Sequence, residues 1–149
     1  MFSSRPGRFQ APAALVGAVC AVLLAAGCGS TALTSSGSAV VQVTERDFHI
    51  VAPRHVTAGN VVFRVRNAGP DDHEFIVVRI GDHSLPLRAD GMTVNEEALQ
   101  PSIVGSLEPG PPGTVRLLHV DLAPGRYALM CNMEGHYMGG MHQEFVAGP

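Results

Sequence analysis

Eleven residues near the C-terminus, "CNMEGHYMGGM" from Cys131 to Met141, hold a thiol, an imidazole and three thioethers. The order C-x4-H-x4-M places Cys131, His136 and Met141 on one loop. Thiolate and imidazole suit copper in both oxidation states, and a weak axial thioether favours the reduced ion. Structural zinc usually takes four firm nitrogen or sulfur ligands and rarely recruits methionine. The loop is one imidazole short. His73 supplies it, just after the turn "NAGPDD" and at the head of an apolar strand. If the two strands are neighbours, His73, Cys131, His136 and Met141 meet at one end of the fold. The chemistry is then one copper per chain, with little movement when an electron arrives.

Each residue has a plainer reading. A lone cysteine is most often a buried core residue, and a lone histidine is more often at the surface. The combination of His136 and Met141 at ligand spacing from Cys131 with His73 at a strand start outweighs those readings here. Met130 precedes the cysteine and by strand alternation points away from it, into the core. Met133 and Met138 lack the ligand spacing and stay unassigned between packing and surface. His142 neighbours Met141 without a role. His49, His55, His83 and His119 are scattered, with no spacing for a second metal.

The cysteine count sharpens the argument. There are three, Cys20, Cys28 and Cys131. Arg5 and Arg8 followed by the apolar run "AALVGAVCAVLLAAG" read as an export signal over residues 1–27, too short for a comfortable membrane span. "LLAAGC" resembles a bacterial lipobox, with Ala25 where leucine is more usual. The resemblance implies cleavage before Cys28 and a lipid on its thiol, and so an extracytoplasmic protein anchored to the outer face of the cell membrane. An ordinary secretory signal with an incidental Cys28 is the plainer alternative. Cys131 is then left without a partner for an intramolecular disulfide, and coordination would protect its thiol.

Residues 28–38 are a Gly/Ser/Thr-rich tether, and one domain fills residues 39–149. Without residues 1–27 the chain carries eight arginines, no lysine and 13 acidic residues, a net charge of −5. With no basic cluster, nucleic acid is excluded as a natural partner. Glu96 and Glu97 point in adjacent directions on a short helix and do not form an acid/base pair. No nucleophile motif or phosphate-cradling loop is present, so the chain does not read as an enzyme.

The elements that must position the ligands are strands. Val40–Thr44, Phe48–Val51, Val61–Asn67, His73–Ile80, Thr114–Val120, Arg126–Met130 and Gln143–Ala147 carry apolar or alternating patterns between Gly/Pro turns. This spacing predicts an all-β sandwich or barrel. Residues 81–113 are a long irregular excursion between central strands. Within it "TVNEEAL" reads as a short helix capped by Thr93 or Asn95, and "SIVGSL" as an edge strand.

"VRNAGPDDHEF" and "GRYALMCNMEGHYMGGM", with "FHIVAPRHVTAGNVVF", resemble segments of the cupredoxins, the blue-copper family of plastocyanin, auracyanin and rusticyanin. The likeness covers most of residues 40–147. It implies a Greek-key cupredoxin sandwich with His73, Cys131 and His136 in the copper plane and Met141 axial. It also implies one-electron transfer through a type 1 copper, with His136 as the exit. Redox proteins of a respiratory or similar chain would then dock at a patch formed by Tyr137, Met138, Gly139 and Gly140. The other reading is a copper carrier or storage lipoprotein, for delivery or resistance. Plastocyanin-like members often carry asparagine after the first histidine, where this chain has Glu74, while Asn132 follows Cys131. Either Glu74 and Asn132 tie the two ligand loops with donor and acceptor exchanged, or Glu74 is a solvated residue at a strand's start.

Overall fold

The structure is a computed structural model that describes residues 37–81 and 84–149. The signal over 1–27, the lipidation residue Cys28, most of the 28–38 tether and His83 lie outside the described residues.

Alternation along the strands builds two sheets. The first has the order β2-β1-β4-β7: β2 is His49–Val51, β1 Ala39–Arg46, β4 Gly59–Asn67 and β7 Val115–Leu122. The second has the order β3-β9-β8-β5-β6: β3 is His55–Thr57, β9 His142–Gly148, β8 Gly125–Met130, β5 His73–Ile80 and β6 Ile103–Gly110. β1 runs parallel to β4 and β3 parallel to β9, while the other pairs are antiparallel. Val61, Phe63 and Val65 of β4 point inward while Arg64 and Arg66 point to solvent, as alternation requires.

The space between the sheets is filled by aromatic and β-branched side chains. Phe63 lies 5.6 Å from Phe75 and 5.9 Å from Phe145 between ring centroids, and Tyr127 stacks on Phe145 at 5.3 Å. Tyr127 Oη donates to the Ala123 carbonyl at 2.7 Å, which satisfies its only polar atom. Cys131 and Met141 belong to this same buried cluster.

The excursion holds a one-turn helix α1 (Glu96–Leu99), a 3-10 turn and the edge strand β6. Asn95 is the cap: its Oδ1 accepts from Ala98 N–H at 3.2 Å. Val94 and Leu99 pack on Ile76, Val78 and Met130, forming a second core on the outer face of the second sheet. This is why β5 is buried on both faces from Phe75 to Val78. Met130 does turn away from Cys131, but into this second core and not into the space between the sheets. The three-residue strand β3 carries too few residues for alternation to reveal it.

Candidate metal centre

β5 and β8 are antiparallel neighbours, with Ile76 opposite Met130. His73 opens β5 and Cys131 follows β8, so the pairing brings both to the same end of the sheet. The Cys131–Met141 loop is held shut by its own backbone. Cys131 N–H donates to Met141 O at 3.1 Å, Met141 N–H to His136 O at 2.9 Å, and His136 N–H to Met133 O at 2.9 Å. These bonds bend the loop back and turn the His136 ring inward. His136 Nδ1 lies 3.3 Å from His73 Nδ1 and 3.4 Å from Cys131 Sγ. The ligand atoms of His73, Cys131 and His136 all lie within 4.8 Å of one another. His73, Cys131 and Met141 have no solvent exposure, and His136 is partly exposed.

Asn67 shapes the turn that delivers His73. Its Oδ1 accepts from Gly69 N–H at 3.0 Å, and its Nδ2 donates to Asp71 O at 2.7 Å and Gly110 O at 2.9 Å. The buried amide thus ties the "NAGPDD" segment to the end of β6, a local pattern asparagine favours. Asp71 and Asp72 are exposed.

Glu74 and Asn132 do connect the two ligand segments. Glu74 Oε1 accepts from the Asn132 backbone N–H at 2.7 Å. The Asn132 side chain turns the other way and clamps the excursion. Its Oδ1 accepts from Val94 N–H at 2.6 Å, and its Nδ2 donates to Val94 O at 3.0 Å and Glu96 Oε1 at 2.7 Å. The tie therefore uses Asn132's backbone, which any residue would offer, while its amide fastens the second core.

Burial governs the electrostatics. It pushes the Cys131 thiol up to about 11, against hydrogen bonding that pulls it down. Burial, followed by the nearby His136, lowers His73, although Asp47 opposes the shift. A histidine kept neutral keeps its lone pair for a metal. Burial also raises Glu74, against the Asn132 N–H bond.

The donors gathered here fit a soft, nitrogen-tolerant ion: one cysteine sulfur and two imidazoles. That combination suits copper and offers no carboxylate or carbonyl oxygen set for magnesium or calcium.

Several neighbours were not visible in the sequence reading. Asp47 Oδ1 lies 3.1 Å from His73 Nε2, and the Phe48 ring stands edge-on to His136 at 5.7 Å. Phe48 also fills the space beside Gly139, where an added Cβ would stand 2.1 Å from its Cδ1. The sequence pattern places Phe48 at the head of a strand, whereas it lies in the turn before β2, at φ 62°, so alternation gave no signal of this contact. Of the proposed docking residues, Met138, Gly139 and Gly140 are exposed and Tyr137 is half-buried, its ring stacked on His142 at 4.7 Å. Met133 packs against the main core. His49, His55 and His119 are exposed and join no metal group among the described residues.

The fold that carries this constellation is the cupredoxin sandwich. No protein-family model matches the chain, and no curated protein matches it in sequence. Solved structures do. A reduced auracyanin from Roseiflexus castenholzii matches with a TM-score of 0.56 at 18% identity, covering 76% of this chain and 100% of that one. Auracyanin B matches at 0.56 and 20% identity, covering 74% of this chain and 88% of its own. Auracyanin A from Chloroflexus aurantiacus, described as a "blue" copper protein, matches at 0.56 and 17% identity, covering 75% of this chain and 100% of its own. Identities this low establish the shared fold.

Proposed function

We propose that this protein is a one-electron carrier built on a single type 1 copper. The observation that carries the reading is the convergence of His73 Nδ1, Cys131 Sγ and His136 Nδ1 within 4.8 Å at one end of a cupredoxin sandwich. Copper bound there supplies a Cu(I)/Cu(II) couple. His73, Cys131 and His136 would hold it, with the Met141 thioether as a further, weaker donor. Burial of three of these residues excludes water, so neither oxidation state acquires a hydration shell that must reorganise. His136 reaches partial exposure and forms the short way out for an electron. Exposed Met138, Gly139 and Gly140, with Phe48 and half-buried Tyr137 beside them, offer a small-residue and apolar surface to a redox partner. No catalysed substrate reaction is part of this reading.

The N-terminal sequence supports export and a lipid on Cys28, which would hold the carrier at the outer face of the cell membrane, beside respiratory or similar electron-transfer proteins. The competing reading is a copper carrier. A closed site with no exposure at His73, Cys131 or Met141 favours retention and cycling over handover.

Adding Cu(II) to residues 29–149 tests the proposal. The expected result is an intense visible thiolate-to-copper band that bleaches on reduction. A colourless complex, or preference for zinc, would overturn it.

A further inference from the structure

The turn joining β1 to β2 has two residues, Asp47 and Phe48, and each meets a different histidine. Asp47 Oδ1 faces His73 Nε2 at 3.1 Å. Both atoms are buried, and neither has a hydrogen-bond partner of good geometry among the described residues. Two such atoms left alone would each cost a desolvation penalty, so their approach is itself informative. Gly69 makes the approach possible. A Cβ there would stand 2.6 Å from Asp47 Oδ1 and 2.9 Å from His73 Nε2.

Phe48 is the counterpart on the other side. Its backbone has φ 62°, the left-handed region a phenylalanine rarely occupies. Such a conformation costs on the order of 1 kcal/mol or more, and it persists where the surroundings over-determine it. Here they do: the ring stands edge-on to His136 and occupies the space that Gly139 leaves open. Gly140, at φ 106°, brings its backbone close to the Phe48 carbonyl, 3.3 Å from where its own Cβ would be.

We propose that the β1–β2 turn is a third loop of the metal centre, in which Asp47 and Phe48 are positioning residues for His73 and His136. This rests on the copper reading above where the potential and the retention of copper are concerned. With Asp47 Oδ1 3.1 Å away, the tautomer with its proton on Nε2 is the favoured one, and the lone pair stays on Nδ1, the atom that faces His136. A carboxylate–histidine–metal chain of this kind orients the ring and raises its basicity. A carboxylate at this position also favours the more positive metal ion, and so holds the reduction potential down. Phe48 closes the solvent side of His136 and limits the swing of its ring.

The test uses the metal-free and the copper-loaded protein. In metal-free protein, 15N NMR of the His73 ring should show a bare Nδ1 and a protonated Nε2, and Asp47→Ala should mix the two tautomers. An unchanged tautomer in Asp47→Ala would overturn the positioning role. In loaded protein, Asp47→Asn keeps the shape and removes the charge. Loss of a partner of this kind typically changes metal affinity by about tenfold or more. Borne by the oxidised ion, a tenfold loss is a rise of about 59 mV for a one-electron couple. An unmoved potential would overturn the charge role. Phe48→Gly relieves the positive φ, so folding stability should not fall, yet copper loss to a chelator should quicken about tenfold. Unchanged loss would overturn the role of Phe48. A native chain that gives no visible band refutes the copper reading alone, because the tautomer result needs no metal.

Discussion

Glu45 is a carboxylic acid sealed in the body of the sandwich, and replacing it with glutamine should change how stability depends on pH. The side chain has no solvent exposure. Its Oε2 takes a 2.8 Å bond from Arg116, while Oε1 is buried without a hydrogen-bond partner. Burial outweighs the arginine and pushes the group from its ordinary 4.5 up to about 7. Between those two values the folded chain keeps a proton that the unfolded chain has released. Stability from this group is therefore complete below pH 4.5 and drains away as pH rises through 7. At about 1.4 kcal/mol for each pH unit of that gap, the loss reaches about 3 kcal/mol. Urea unfolding of the metal-free protein between about pH 5 and pH 8 reads it directly. The native chain should weaken relative to Glu45→Gln across that range, because glutamine cannot titrate and every other group is common to both. Parallel profiles for the two proteins would refute the reasoning, since they would mean that Arg116 keeps Glu45 ionised throughout. The outcome bears on the centre as well: the Glu45 carbonyl accepts from Ala68 N–H at 2.8 Å, tying β1 to the turn that presents His73.

Two further outcomes follow from the hydrogen bonds around Asn132. Glu74→Ala removes the acceptor of the 2.7 Å bond from Asn132 N–H; copper affinity should fall roughly 10- to 100-fold with the sheet content unchanged, measured by chelator competition and circular dichroism. Asn132→Ala strips the partners from both Val94 N–H and Val94 C=O; the domain should lose about 2–3 kcal/mol, with hydrogen exchange at Val94 rising before exchange in β8.

Much of the proposed site was legible because its candidate donors are close in sequence. Cys131, His136 and Met141 lie on one loop, and covalent connection keeps them near each other in any compact fold. The strand containing Phe63 and Val65 announced its buried face by alternation, and His73–Ile80 was readable as an apolar run. The Glu74–Asn132 connection was readable as a pairing but not as a bond. Sequence shows side chains, whereas the contact uses a backbone N–H whose direction only the loop's path defines. Met130 shows the same limit. Alternation says which side of the strand it leaves, but not that the excursion supplies a second apolar layer through Val94 and Leu99.

By itself, then, the sequence determined the candidate donor types, the one-loop arrangement of three of them, and a sandwich of short strands, because these follow from residue chemistry and from periods of two. The tertiary structure decided what surrounds them. Asp47 is 26 residues from His73 and Phe48 is 88 residues from His136, in a turn that carries no ligand pattern. Their contacts exist because β1 pairs with β4, β5 with β8, and glycines at 69 and 139 leave the space. No local rule of sequence contains that geometry, since it is the packing of two sheets that brings the turn against the histidines.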